Sequence, residues 1–282
     1  MSQKPQRPPH QDAVAETARW TAAARAQESD RADRLFDDPL ARGLAGAAGF
    51  EMLARFDQRG DGNPYLPIRT RWYDDVLTSA VTKHRQVVML AAGLDTRAYR
   101  LPWAPQTVLF EVDQPRLLAD KQVMLDAMQA RLACDRRVVP VDLGGDWSTP
   151  LEQAGYQRTD PAVFTAEGVL FYLAKSAARA VLTTAAEIAA PGSRLAVDLV
   201  NDGFFRSPYT RDYLESLAAA GIPWRFGTDD PEQLLTDCGW RVDSIDEPGG
   251  ENANYGRWPY PPTTVGIPDL PRSYLLTATR PG

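Results

Sequence analysis

Lysine is nearly absent from this 282-residue chain: only four of the 31 basic residues are Lys, and the rest are Arg. That bias reads as codon usage as much as chemistry. With 37 acidic residues the formal net charge is −6, and no block of Lys/Arg is dense enough to form a phosphate-binding face, so no nucleic-acid partner is expected. Histidine is limited to His10 and His84, and cysteine to Cys134 and Cys238. The two cysteines are isolated and lack metal-ligand spacing. This predicts no metal and no disulfide, as suits a reduced cytoplasmic compartment. No apolar run approaches the roughly 18 residues of a membrane span, so no membrane partner is expected. The opening "MSQKPQRPPHQD" lacks the apolar core of a signal peptide. What is present, 44% hydrophobic residues, suffices for one large domain or two small ones.

Along the chain, residues 1–12 are polar and Pro-rich and are expected to be disordered. Residues 13–85 read as an N-terminal helical cap, broken at Asp38-Pro39 and at "RGDGNPYLP" (59–67). From Val87 the pattern changes, and residues 86–282 form the expected core. Short β-rich runs, "VVML" (87–90), "TVLFEV" (107–112), "RVVPV" (137–141), "AVFTAEG" (162–168) and "SRLAVDLV" (193–200), alternate with helical periods. One helical face is marked by Leu117, Lys121, Met124, Met128 and Leu132. Another is marked by Ala178, Val181, Leu182, Ala185 and Ile188. Strands alternating with helices predict an α/β fold, a mostly parallel sheet covered on both faces. The last two runs, "GWRVDSIDE" (239–247) and "SYLLTATR" (273–280), have no helical period between them and can only pair antiparallel.

A third scarcity is glycine in the stretch "VVMLAAGLDTRAYRL" (87–101). In an open α/β sheet, ligands bind outside the C-terminal ends of the strands, at the switch point beside the first one. The turn "AAGLDT" (91–96) stands there. On the dinucleotide template G-x-G-x-x-G its three positions are Ala91, Gly93 and Thr96, so only the middle glycine survives. Asp95 adds a negative charge where a pyrophosphate would come. Nicotinamide and flavin cofactors are therefore disfavoured, while a nucleoside without phosphates is not.

The later strand ends are acidic. Asp113 ends the second strand, 20 positions beyond Gly93, a spacing that suits a carboxylate accepting both ribose hydroxyls; its other reading is a cap for the helix that Pro115 opens. Asp142 and Leu143 follow the third strand, placed to meet an adenine edge through a carboxylate and a backbone N–H. Glu167 ends an apolar fourth strand and needs a cation, water or polar ligand, or else a structural Arg. A sulfonium cofactor with an amino group meets that demand, which points to S-adenosylmethionine.

Together, in order, "VVMLAAGLDTRAYRL", "FEVDQP" and "EGVLFYL" resemble the leucine carboxyl methyltransferase family over roughly residues 13–280. The resemblance is nearest to bacterial members, which include O- and carboxyl-methyltransferases of aromatic polyketide pathways. It implies a class I (Rossmann-like) methyltransferase fold with seven strands, the last antiparallel. Gly93 then lies under the cofactor, Asp113 binds the ribose, Asp142 and Leu143 meet the adenine, and Glu167 is the family's acidic residue after the fourth strand. It also implies an Arg that grips the methionine carboxylate from a helix before the first strand. "PIRTRWYDD" offers Arg69 and Arg71, with the alignment favouring Arg69, and a guanidinium fork is the right donor. A further basic residue nearer the N-terminus contacts the cofactor in the family, and Arg25 is a loose match. Eukaryotic members methylate the C-terminal leucine of a protein phosphatase subunit.

Methyl transfer from a sulfonium needs a nucleophilic oxygen held in line, with water kept out. A carboxylate is already ionised, whereas a phenol must lose a proton, usually to His, Asp or Glu. His84 precedes the first strand, on the wrong edge for the site, and His10 lies in the tail. No catalytic base is identified, which tilts the acceptor toward a carboxylate or an acidic phenol of a small, aromatic or polyketide-like metabolite. The substrate lid is expected from the helical cap and from the insert at 201–227, which carries Phe204, Phe205, Tyr209, Tyr213, Trp224 and Phe226 with Arg206, Arg211 and Arg225. Tyr172, Phe204, Arg206 and Tyr209 are the expected acceptor contacts, in a monomer or homodimer. The competing readings are a protein C-terminal carboxyl methyltransferase, an NAD-type oxidoreductase and a non-catalytic S-adenosylmethionine-binding protein.

Overall fold

The computed structural model describes residues 9–56, 63–260 and 269–282. Three helices come first: α1 (Pro9–Ser29), α2 (Ala41–Phe56) and α3 (Tyr65–Ala80). Helix α1 thus begins inside the stretch expected to be disordered, of which residues 1–8 lie outside the described residues. Helix α3 begins at Tyr65, within the break expected at 59–67, of which residues 59–62 lie outside the described residues. Pro67 belongs to the first turn of α3, where a missing N–H leaves no helical bond unmade.

The core then alternates β1 (Gln86–Leu90), α4 (Arg97–Arg100), β2 (Val108–Asp113), α5 (Pro115–Ala127), β3 (Asp135–Pro140), α6 (Ser148–Gln153), β4 (Ala162–Ala166), α7 (Lys175–Ile188) and β5 (Arg194–Val200). The insert carries α8 (Gly203–Arg206) and α9 (Arg211–Ala219), and α10 (Pro231–Asp237), β6 (Arg241–Asp246) and β7 (Ser273–Thr279) close the chain. The seven strands run in the order β3-β2-β1-β4-β5-β7-β6, and β7 lies antiparallel to both β5 and β6. This is the predicted sheet. The order reverses between β1 and β4, which puts the switch point at the turn after β1 and at Glu167.

Strand side chains alternate between faces. Val88, Phe110, Phe164, Val197 and Leu276 point to one core, where α7 brings the predicted stripe of Ala178, Val181, Leu182, Ala185 and Ile188. The opposite face takes α3, through Leu77 and Ala80 against Val87 and Leu109, and through Ile68, Trp72 and Tyr73 against Ala196 and Leu275. The stripe predicted for α5 is displaced by one residue. Leu118, Lys121 and Leu125 are the buried positions, whereas Leu117, Met124 and Met128 touch the helical cap and Leu132 is exposed beyond the helix end. The sequence period could not separate two partly overlapping apolar faces that meet different partners.

Both cysteines are free thiols. Among the described residues, no helix is long and apolar enough to cross a membrane, and no group of His, Cys, Asp and Glu could hold a metal ion.

Candidate active site

A cavity of about 470 Å³ opens at the C-terminal ends of β1, β2 and β4 and is roofed by α1. Gly93, Asp113, Asp142, Leu143 and Glu167 all line it, as do Arg69 and Tyr172. Each arrives there by its position in the fold. Ala91 takes a left-handed φ of 56° and Gly93 one of 52°, so the turn after β1 is as tight as a glycine-rich one. It pays for its missing first glycine in backbone strain at Ala91. The third glycine position is filled by Thr96, whose hydroxyl donates to Asp38 at 2.6 Å. Gly93 N–H donates to Asp113 Oδ2 and Gln114 N–H to Oδ1, both at 2.6 Å. Asp113 is not the helix cap: Gln114 occupies that position, and the carboxylate instead clips the ends of β1 and β2 together. Burial raises the pKa of Asp113, and the Gly93 and Gln114 N–H bonds and Lys121 work against it.

Glu167 is held by two arginines. Arg97 Nη1 reaches Oε2 at 2.7 Å and Arg69 Nε reaches Oε1 at 3.1 Å, so Glu167 has the structural arginines that a buried acid needs, and it also lines the cavity. Burial alone would raise its pKa, but Arg97 and Arg69 outweigh burial and hold it below the usual carboxylate range. Arg97 also binds Asp74 and Asp95, each at 2.6 Å, and the Thr70 carbonyl. Arg69 also binds Asp198 at 3.2 Å. Arg100 continues the chain of charges to Asp74, and Arg25 joins Asp38 to the Leu94 carbonyl. Arg71 lies outside the cavity wall and donates to Asp75 and to the Leu35 carbonyl. The network therefore contains Arg25, Arg69, Arg97 and Arg100 against Asp38, Asp74, Asp95, Glu167 and Asp198. That is four cations against five carboxylates within the network, while on the cavity wall itself Arg25, Arg69, Arg97 and Arg225 balance Asp95, Asp113, Asp142 and Glu167.

The acceptor contacts expected from the insert are not assembled. Tyr209 is 85% exposed, and Arg206 pairs with Asp229 and Asp269 on the surface. Phe204 stacks on Trp224, with ring centroids 5.1 Å apart, and none of these three lines the cavity. Their aromatic neighbours pack the insert onto the cap instead: Trp224 meets Phe171 at 4.1 Å and Tyr213 at 5.7 Å, and Tyr213 reaches Phe56 of α2 at 6.4 Å. The insert's one contribution to the cavity wall among the described residues is Arg225, while α1 supplies Thr17, Ala18, Thr21 and Arg25. His84 is buried away from the cavity, with its ring nitrogens against the Ala80 and Gly192 carbonyls. The side chain of His10 lies outside the described residues.

Sequence reasoning missed Arg97, Asp74 and Asp198. The signal was present for Asp198: an acid inside "LAVDLV" cannot be buried without partners.

The leucine carboxyl methyltransferase family model matches residues 18–186. The chain belongs to this family. A protein of Parafrankia sp. (strain EAN1pec), provisionally named an S-adenosyl-L-methionine-dependent methyltransferase, is 39% identical over 244 residues, covering 83% of this chain and 78% of its own. One from Mycobacterium sp. (strain JLS), named in the same way, is 38% identical over 270 residues, covering 82% and 85%. The crystal structure of a DUF574 family protein from Streptomyces avermitilis has the same fold, with a TM-score of 0.63 at 18% identity over 94% of this chain and 97% of that one. The chain is an S-adenosylmethionine-dependent methyltransferase by family.

The cavity's own donor set fits that cofactor. Among the described hydrogen bonds none uses Arg69 Nη2, which leaves a guanidinium donor on the cavity wall for a carboxylate. Beside Gly93, Asp113 retains lone pairs for hydroxyl donors, and the Asp142 side chain, in an exposed loop, is tied to Gly144 N–H.

Proposed function

We propose that the chain methylates a carboxylate oxygen of a small, flat organic acid, with S-adenosylmethionine as the donor. When bound, the cofactor supplies an electrophilic methyl on sulfur. The acceptor oxygen would take that methyl as the C–S bond breaks, giving the methyl ester and leaving the sulfur of the spent cofactor as a neutral thioether. The cofactor contacts in this reading are Arg69 for the methionine carboxylate, Glu167 on the ammonium side, Asp113 for the ribose, and Asp142 with Leu143 for the adenine, above Gly93.

The observation that carries the acceptor class is the want of a base near Glu167; Asp113 and Asp142 also line the wall, but Asp113 is bonded to two backbone N–H groups and both belong to the nucleoside in this reading. The described cavity wall contains no histidine, and Glu167 and Asp95 are both held below the usual carboxylate range by arginines, which makes them poor proton acceptors at neutral pH. An acceptor that arrives ionised needs none. Tyr172 lines the same wall, but burial raises its pKa, so it serves as a donor or a shape element. Arg225 adds a cation to the wall, in keeping with an acidic acceptor.

The test offers an aromatic acid, its phenolic isostere and a peptide with a free C-terminal carboxylate, and locates the methyl group by mass spectrometry. Ester formation on the aromatic acid, at a saturated rate nearly flat between about pH 6 and 9, is expected. Methylation of the phenol alone would overturn the carboxylate reading, and methylation of the peptide alone would move the acceptor class to proteins.

A further inference from the structure

Asp198 is the acid at the centre of β5. It is completely buried, does not line the cavity, and faces α3 rather than α7 because it alternates with Val197 and Leu199. Four donors converge on its two oxygens. Oδ2 accepts from Tyr65 O–H at 3.0 Å and from Arg69 Nη1 at 3.2 Å. Oδ1 accepts from Gly168 N–H at 2.6 Å and from Tyr73 O–H at 3.3 Å, a proton shared with the Ala166 carbonyl at the same distance. Tyr65, Arg69 and Tyr73 are spaced i, i+4 and i+8 on α3, so one stripe of that helix delivers all three side chains.

The arrangement pins two parts of the cavity wall from behind. One is the Arg69 guanidinium: with Nη1 on Asp198 and Nε on Glu167, the remaining nitrogen, Nη2, has a fixed direction. The other is the peptide that joins Glu167 to Gly168. Gly168 has a φ of 65°, and a Cβ there would come within 2.8 Å of Arg69 Nη1, so the close approach of Arg69 to this peptide is itself built around a missing side chain. Burial of a carboxylate costs free energy, and burial raises the pKa of Asp198 while Arg69 and the Gly168 N–H oppose that rise. A fold that needed only to fill this space would place an apolar residue here, as it does at Ala196 and Val200.

We propose that Asp198 is a positioning residue for the amino-acid end of the cofactor, acting through Arg69 and the Glu167–Gly168 peptide. The inference rests on Arg69 being the carboxylate donor, as assigned above.

The discriminating pair of ligands is S-adenosylhomocysteine and methylthioadenosine. Both carry adenine, ribose and sulfur, but only the first carries the carboxylate and ammonium. Calorimetric titration of Asp198→Asn should show binding of S-adenosylhomocysteine weakened by about tenfold or more, the scale of a lost charged hydrogen bond. Methylthioadenosine affinity should stay within about twofold. Equal loss for both ligands, or loss for neither, would reduce Asp198 to a structural role and overturn the proposal. If Asp198→Asn does not fold, Tyr65→Phe keeps the ring and the buried charge but removes the hydroxyl that shares Oδ2 with Arg69. It should weaken S-adenosylhomocysteine alone, by about threefold, and an equal shift or no shift in the two ligands has the same negative meaning. Arg69→Ala separates the two layers. Loss of selectivity for S-adenosylhomocysteine there, without it in the Asp198 variant, rejects Asp198 alone. No selective loss in Arg69→Ala rejects the assignment of Arg69 itself.

Discussion

Arg97 and Arg206 each bind more than one carboxylate, and they teach opposite lessons. Arg97 has 2% of its side chain exposed and is bonded to Asp74, Asp95, Glu167 and a backbone carbonyl. Arg206, on the insert, has 51% exposed and bonds Asp229 and Asp269, themselves about half exposed. The first guanidinium ties the turn after β1 to α3 and to the end of β4, so it sets where the cavity wall lies. The second decorates a surface. Sequence inspection ranks them the other way round, because Arg206 sits among aromatics and looks like a ligand contact, whereas Arg97 sits in a turn.

Removing Arg97 tests the buried half of the comparison and carries the largest expected effect. Arg97→Ala leaves three carboxylates without their shared cation in a desolvated site, and such a loss costs about 3–5 kcal/mol. Urea unfolding should show the drop as a lower midpoint. A change comparable to that of a surface variant would mean that water enters the site and screens the charges, and the cavity wall would then owe little to the network.

The same network should govern acid stability. Asp38, Asp95 and Glu167 are held below the usual carboxylate range in the folded chain: burial pushes each up, but Arg25 at Asp38, and Arg97 at Asp95 and Glu167, outweigh it. Unfolded, they titrate near their ordinary values of about 3.9 and 4.3. The unfolded chain then takes up protons first, so the stability these groups supply is present above that range and is lost as the pH falls through about 4 and below. Asp113 and Asp198, whose pKa values are raised by burial, contribute with the opposite sign and at higher pH: the destabilisation they cause is relieved as the pH falls through their raised values toward about 4. Arg97→Ala isolates the first set. Its unfolding free energy should depend less steeply on pH between about 5 and 3 than that of the parent, and parallel slopes would show that Arg97 is not what holds Asp95 and Glu167 down.

How much of this was legible beforehand follows from the same contrast. The sheet was readable because strand and helix periods are local, and the β6–β7 hairpin followed from the absence of any helical period between its strands. Gly93, Asp113, Asp142, Leu143 and Glu167 were readable because strand ends in this fold converge on one place. Arg97 and Asp198 gain most of their meaning from distant partners, as far as 70 positions away for Arg97 and 133 for Asp198. What the sequence does show is their oddity, charges set inside apolar or tight-turn contexts. "LFEVD" repeats the lesson, because Glu111 is fully buried and needs Lys121 and Arg136, each at 2.7 Å. The insert was the least legible part. Aromatic density announces that something packs there but does not say which ring faces inward: Phe204 and Trp224 stack on each other while Tyr209 faces solvent.

The smallest expected effect belongs to Arg206→Ala, and it bears on the acceptor. Both of its ion pairs are open to water, where counterions compete and the long side chains lose entropy on pairing, so the melting temperature should move by no more than about 1 °C. Because Arg206 does not line the cavity, the KM for an acidic acceptor should also be unchanged, whereas Arg225→Ala, which alters the wall, should raise it. The comparison between buried and surface arginines breaks if Arg206→Ala raises the KM for an acid and spares a neutral acceptor of the same shape. That outcome would require α8 to swing inward with substrate, exchanging Asp229 and Asp269 for the acceptor's carboxylate. The exchange would be one ion pair for another, with little change in stability to betray it, so the KM measurement and not the melting curve is the one that decides.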